Sequence, residues 1–307
     1  GFIGSHLVEA LLKRGHVTVF DNLSVGKRAF IEAALVSGRC ELVVGELLEL
    51  DALTAAMHGH SVVFHLAANP EARWGLENPR LDLEQGTIAT WNVLEAMRRA
   101  GAAHLVFSSS GSVYGRMEDV RAEGDLGSLP ISLYGASKLA SEAMIAAWVE
   151  CFGIQAWVLR FGNVVGPRGT HGAALDFMNK LKKDGRKLEV LGDGEQRKPY
   201  VHVSDCVDGI LFSLDNAREP LNVLNLAPGD ATKVSRIAEL CVRASPFPGA
   251  EIRYTGGAQG WRGDVPRSRL DPGKLLRLGW RTRMTSDEAV ARAVGELARQ
   301  VFALEGA

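Results

Sequence analysis

GFIGSHLVEALLKRGHVTVFDN, residues 1–22, is the stretch that decides the fold. Gly1 and Gly4 have the spacing of the last two glycines of a GxxGxxG turn. From Ser5 to Arg14 the apolar residues Leu7, Ala10 and Leu11 recur at helical spacing, and Gly15 stops the pattern. Val17–Phe20 then reads as a strand ending at Asp21. Twenty residues separate Gly1 from Asp21. That spacing places a dinucleotide pyrophosphate at a helix N-terminus and the adenosine ribose at the carboxylate ending the next strand. Glycine lets backbone N–H groups approach phosphate, and the helix dipole favours its negative charge. Asp21 accepts from a ribose 2′-hydroxyl and repels a 2′-phosphate, which favours NAD over NADP; Lys27 and Arg28, close by in sequence, soften that preference.

Such a unit has a strand before its glycine turn, mid-sheet and covered on both faces. A strand segment of roughly ten residues ahead of Gly1 is therefore expected, and the intact mass of the native protein tests it.

Further strands are predicted at Glu41–Val44, Val62–His65, Ala103–Ser108 and Gln155–Arg160, with helices between them, notably Leu81–Arg99 and Leu133–Phe152. Strand and helix in alternation imply an α/β fold, a Rossmann doubly wound parallel sheet. Ligands of such sheets bind at the carboxyl ends of the strands, where Asp21, Glu46, Ala67 to Asn69 and Ser110 fall. After residue 163 the alternation breaks and Gly and Pro become frequent. The expected division is a dinucleotide-binding domain over 1–163, rejoined by 200–225, and a smaller C-terminal substrate-binding α/β region over 164–307.

Composition narrows the function classes. A net charge of −1 over 307 residues provides no basic field for nucleic acid. No run approaches the roughly 20 apolar residues that cross a bilayer, so no membrane partner is expected. Cys40, Cys151, Cys206 and Cys241 are far apart, which fits thiols in a reducing cytoplasm. His58 and His60 read as a solvated loop pair, and no His/Cys/carboxylate cluster has metal spacing, so no metal is expected.

The chemistry is carried by FSSSGSVYG (residues 107–115) and YGASK (residues 134–138). Tyr134 and Lys138 stand at i and i+4 and share one helical face. Ser110 follows the apolar run Leu105–Phe107, which reads as a buried strand. An ammonium beside a phenol favours phenolate. Lowering a tyrosine pKa from about 10 to about 7 takes about 4 kcal/mol of differential stabilisation, and the result is a base for an alcohol proton. Taken alone, a tyrosine and a lysine four apart are more often one half-buried aromatic and one solvated ammonium. The dinucleotide turn upstream is what tips the reading toward catalysis.

In order, the segments GFIGSH, DNLS, FHLAAN, FSSSGSVYG, YGASK, LRFGNVVGPR, GDGEQRKPYVHVSD and GDVP span nearly the whole chain. Together they resemble the extended short-chain dehydrogenase/reductase family, within it the NAD-dependent nucleotide-sugar epimerases and dehydratases, and most of all UDP-glucose 4-epimerase-like proteins. The resemblance implies that Tyr134 is the catalytic base. Lys138 would bind the nicotinamide ribose and lower the tyrosine pKa, and Ser110 would hydrogen-bond the reacting sugar oxygen. For the cofactor it implies Gly1, Phe2, Ile3 and Gly4 at the pyrophosphate, and Asp21, Asn22 and Ser24 at the adenosine ribose. Glu46 and Leu47 would lie beside adenine, with Leu66, Ala67, Ala68, Ser108 and Phe161 along the cofactor path. For the substrate it implies Asn163 at the diphosphate, Lys198 or Arg197 and also Arg262 neutralising it, and Ser112, Val190 and Ser268 near the sugar nucleotide. A homodimer formed through the helices of Trp91 and Trp148 is implied as well.

The chain departs from that pattern at Glu46, where an aspartate is usual, at Gly86, often asparagine, and at Gln259, where related sequences often carry a substrate-binding arginine. The reaction class follows from what is absent beside Ser110. Family dehydratases place carboxyl residues just after the catalytic Ser/Thr, and decarboxylases tend to carry a glutamate there. Gly111 and Ser112 do no acid–base work near neutral pH. An epimerase needs no further acid or base, because the keto sugar turns over and hydride returns to the opposite face. The expected activity is thus NAD-dependent 4-epimerisation of a UDP-linked hexose. The alternatives are a dehydratase or decarboxylase of the same family, or a non-catalytic dinucleotide-binding sensor.

Overall fold

The computed structural model describes residues 1–116, 119–125 and 128–303. In chain order its main elements are α1 (Phe2–Leu11), β1 (Val17–Asp21), β2 (Cys40–Val44), α2 (Leu50–Met57), β3 (Val62–His65), α3 (Ala89–Ala100), β4 (His104–Ser110), α4 (Leu133–Phe152) and β5 (Gln155–Phe161). There follow β6 (Asn163–Val165), α5 (Ala173–Lys183), β7 (Lys187–Val190), β8 (Tyr200–His202), α6 (Val203–Asn216), β9 (Leu221–Leu226), α7 (Val234–Ala244), β10 (Glu251–Tyr254) and α8 (Ser286–Phe302). The strands predicted from sequence are present, each within two residues of its expected ends.

The chain forms two compact units. The first comprises Gly1–Val113, Leu133–Arg160 and Ile210–Leu224. The second comprises Tyr114–Ser132, Phe161–Gly209 and Asn225–Ala307. The boundaries differ in two places from the expected 1–163 rejoined by 200–225: the segment Tyr114–Ser132, which follows the Ser110 strand, belongs to the second unit, and the returning segment is Ile210–Leu224.

In the first unit β1 pairs in parallel with β2, Val17 opposite Cys40 and Asp21 opposite Val44. A four-stranded sheet has the order β9-β5-β4-β3, with Val62 opposite His104 and His65 opposite Phe107. Among the described residues no strand joins β1 to β3. Leu105 to Phe107 are buried in succession, the apolar signature of a strand covered on both faces, and Ser108 and Ser109 after them are buried as well. Met57, Leu94, Met97, Phe107, Ile145, Val149 and Val158 form one core between sheet and helices. A smaller cluster of Val8, Leu12, Ile31, Ala34 and Cys40 backs β1 and β2.

Two helices differ from the expectation. α1 begins at Phe2, because Phe2 is buried and enters the first turn instead of standing in the loop. The helix predicted over Leu81–Arg99 is wound as a π-helix from Leu83 to Ile88 before α3 begins. At Gly86 a Cβ would stand 2.6 Å from Ser137 Oγ, so the close approach of this widened turn to α4 requires glycine. α3 ends at Gly101 with φ of 77°, a left-handed cap.

In the second unit β6 pairs in parallel with β8, and β7 with β10. Phe177, Met178, Leu181, Leu188, Ile237, Cys241, Val290 and Leu297 make its core. Thr285 and Glu288 form a capping box that starts α8. Among the described residues no helix is long and apolar enough to cross a membrane.

Candidate active site

The glycine turn and Asp21 converge as their spacing predicts. Gly1 N lies 3.5 Å from Asp21 Oδ2, and Asp21 Oδ1 accepts from Leu23 N at 2.7 Å. Gly1 stands at the N-terminus of α1, which has no side-chain cap and no acidic residue in its first turn. An uncapped helix N-terminus and a carboxylate at the adjacent strand end fit a dinucleotide: the turn suits its pyrophosphate and Asp21 its ribose. Asn22 accepts from Ser24 N at 3.0 Å and Ser24 Oγ at 2.7 Å, fixing the bend after β1. Arg28 pairs with Glu32 at 3.3 Å, which draws its charge toward a local partner. Leu47 is tied to α3 by Asn92, whose amide donates to its carbonyl at 2.8 Å. Leu66 and Ala68 are half-buried and Ala67 is exposed just past β3.

Ser110, Tyr134 and Lys138 come together in the first unit. Ser110 closes β4, which runs two residues past its expected end, and its hydroxyl faces the Tyr134 phenol and lowers its pKa. Ser112 Oγ donates to Ser110 Oγ at 3.0 Å and Ser112 N at 3.2 Å. Lys138, 2% exposed, donates from Nζ to the Ser108 carbonyl at 2.6 Å. Its ammonium lies 4.7 Å from the Phe107 ring centroid and 5.8 Å from that of Tyr134.

The electrostatics correct one expectation. The Tyr134 hydroxyl is not lowered by the protein around it but pushed up to about 12. Burial is the first cause, the charge of Asp82 adds to it, and the Ser110 hydrogen bond opposes both. Burial also brings Lys138 down to about 8, against the opposing pull of Glu142 and Asp82. The i, i+4 spacing does set the two groups on one face, but it carries no sign of the desolvation of both.

Four side chains here were missed by sequence reasoning. Asp82 is 2% exposed, accepts from Asn69 Nδ2 at 3.0 Å, and has an Oδ2 with no partner. Burial raises its carboxyl pKa. His65, buried at the end of β3, lies 3.0 Å from Thr90 Oγ1 and is pushed down to about 3, so it is neutral. Glu142 and Arg160 form a buried pair behind Lys138, at 2.6 Å. The available signal was Glu142 itself, one further turn along the Tyr134–Lys138 face.

The candidate substrate residues lie in the second unit, apart from Ser110 and Ser112. Asn163 at the start of β6 stands opposite Tyr200 of β8, its N–H donating to the Pro199 carbonyl at 2.8 Å. Lys198 Nζ pairs with the buried Asp264. Arg197 and Arg262 are exposed, and Val190 is buried. Ser268 is half-buried, its N–H donating to the Arg197 carbonyl at 2.9 Å. Gln259 Nε2 donates to the Asp264 carbonyl at 2.8 Å, so it braces the Lys198 partner. Phe161, at the end of β5, is buried.

Comparison with known proteins agrees with this arrangement. The profile of the NAD dependent epimerase/dehydratase family matches residues 1–227. A putative UDP-glucose 4-epimerase of Methanocaldococcus jannaschii is 31% identical over 302 residues, covering 96% of this chain and 94% of that protein. A crystal structure of UDP-galactose 4-epimerase superimposes with a TM-score of 0.86 at 38% identity, covering 98% of this chain and 96% of that one. The UDP-glucose 4-epimerase of Thermus thermophilus, solved with NAD, gives a TM-score of 0.85 at 30% identity over 97% and 96% of the two chains.

Proposed function

The chain belongs to the NAD dependent epimerase/dehydratase family, and from that premise we propose that it is an NAD-dependent 4-epimerase of a UDP-linked hexose. The observation that carries the proposal is the joining of Tyr134, Ser110 and Lys138 without, among the described residues, a further exposed acid or base beside Ser110. The family's NAD supplies a hydride acceptor when bound and, in its oxidised form, a positive charge that lowers a neighbouring phenol. Tyr134 removes the proton of the sugar hydroxyl, and Ser110 holds that oxygen in line with the phenol. Lys138, fixed on the Ser108 carbonyl, reaches the nicotinamide ribose and keeps a cation close to Tyr134. Gly111 and Ser112 follow in a single turn of 3-10 helix and bear no carboxyl. This favours return of the same proton and hydride over loss of water. In the second unit, Asn163, Lys198, Arg197 and Arg262 are the groups proposed to hold the diphosphate while the sugar turns over.

Incubation with NAD and, separately, UDP-glucose, UDP-N-acetylglucosamine and UDP-glucuronate tests this by chromatography and mass. The expected result is a 4-epimer of unchanged mass from at least one of them, UDP-glucose first. Loss of water or of carbon dioxide from the product would replace the proposal with the dehydratase or decarboxylase reading. No change with any sugar would leave the sensor reading.

We further propose a cytoplasmic homodimer through α3 and α4. Supporting it, Leu83, Ile88, Trp91 and Phe152 are large apolar side chains exposed on this part of the first unit. The Trp148 ring packs against Phe152 at a tilt of 50°, with centroids 5.2 Å apart. Light scattering is expected to give twice the chain mass, falling toward one chain in Trp91→Glu; a monomeric wild type would end this part of the proposal.

A further inference from the structure

α4 buries Gly135, Lys138, Glu142, Ile145 and Val149 along one stripe at spacings of three and four residues. Two members of that stripe are charged where apolar residues would serve packing better. A buried carboxylate is tolerated only when it is paired and its lone pairs are satisfied. Glu142, 7% exposed, meets that condition fully. Arg160 of β5, 3% exposed, donates from Nη2 to Oε2 at 2.6 Å and from Nε to both oxygens at 3.0 and 3.2 Å. Ser109 Oγ of β4 donates to Oε1 as well.

The three serines of β4 thus meet three successive turns of α4. Ser110 meets Tyr134, the Ser108 carbonyl meets Lys138, and Ser109 meets Glu142. Of these contacts only the one at Glu142 also ties the helix to a third element, β5. We propose that Glu142 is a positioning residue of the reaction: with Ser109 and Arg160 it sets the register of α4 on the sheet, and it supplies the negative charge behind Lys138. The proposal rests on the epimerase reading for its kinetic test and on the geometry alone for its second test.

The groups facing Lys138 are few. Glu142 stands one turn along α4, and Asp82 faces it from the turn Arg80–Asp82. His65 of β3 is neutral, and Tyr134 is a phenol. Arg160 of β5 is a like charge held by Glu142. Removing the Glu142 charge leaves Asp82 as the remaining counter-charge among the described residues and takes the carboxylate partner from Arg160. Both changes make the Lys138 ammonium easier to deprotonate.

The experiment compares kcat/KM against pH for wild type, Glu142→Gln and the double variant Glu142→Leu with Arg160→Met. In Glu142→Gln, kcat is expected to fall about 100-fold from loss of register. Its basic limb is expected to move down by about one pH unit. The double variant replaces a buried ion pair with apolar packing, so its thermal stability is expected to match or exceed that of wild type. Its kcat is expected to stay low and its limb to stay shifted. A double variant that recovers wild-type kcat and limb would reduce Glu142 to a packing role and overturn the inference. So would a Glu142→Gln enzyme with both unchanged. The Lys138 ammonium is also titrated directly, by NMR of lysine-labelled protein with NAD bound, in the same three proteins. If wild type converts no nucleotide sugar, the proposed function fails, and this titration still decides the inference: an unmoved Lys138 in Glu142→Gln rejects it.

Discussion

Phenylalanine in place of Tyr134 is expected to lower turnover by at least about 1,000-fold, within the range general acid–base groups supply, while NAD still binds. The two effects separate because they use different parts of the first unit. The dinucleotide fits the open N-terminus of α1 and Asp21, which the substitution does not touch. The phenol oxygen is the atom that Ser110 engages. Phenylalanine keeps the ring in its half-buried seat and removes only that atom. The wild-type enzyme has its own constraint, since burial pushes the phenol up to about 12. Cationic neighbours must therefore bring it down before it can accept a proton near neutral pH, and activity is expected to rise with pH until Lys138 begins to lose its charge near 8. Turnover is read by chromatography of the sugar nucleotides and bound NAD by release from denatured protein. Turnover within about tenfold of wild type, well short of a general base's contribution, would remove Tyr134 from the role of base.

Much of this arrangement was legible in sequence because its signals are local. A helix between two glycines, a strand ending in aspartate, and a tyrosine and lysine one turn apart each depend on neighbours close in the chain. The buried run Leu105–Phe107 was equally plain, since a strand covered on both faces carries apolar residues in succession. What escaped depends on the third dimension. Asp82 in RLDLEQ and Glu142 in KLASEA look like solvated helix acids, yet both are enclosed by elements distant in sequence. The π-helix of Leu83–Ile88 has no periodic signature of its own, and Gly86 reveals it only once Ser137 is seen against it. The direction of the Tyr134 pKa escapes for the same reason: spacing identifies a charged neighbour, whereas burial acts on both partners and outweighs it.

Burial also governs the second large effect. Lys138→Met is expected to cost about 100-fold or more in turnover and nothing in stability at pH 7. The lysine is almost fully enclosed, and burial lowers its pKa from 10.5 to about 8. Keeping it ionised at neutral pH therefore costs the folded state on the order of 3 kcal/mol relative to the unfolded chain. The sign follows from proton binding. Between pH 8 and 10.5 the unfolded chain holds this proton more tightly than the folded one, so the lysine's contribution to stability improves as pH rises through that window. Below pH 8 the cost is present in full. Methionine fills similar volume without a charge. The change forfeits one hydrogen bond from a charged donor to the Ser108 carbonyl, about 2 kcal/mol, which the relief of the buried charge offsets. Glu142 remains paired with Arg160, and Asp82 keeps the hydrogen bond from Asn69 Nδ2. The melting temperature at pH 7 is thus expected to be equal or higher in Lys138→Met, with the gap closing toward about pH 10. A melting temperature several degrees lower would mean that the ammonium contributes to the fold, and that the buried cation is not held there for chemistry at the expense of stability.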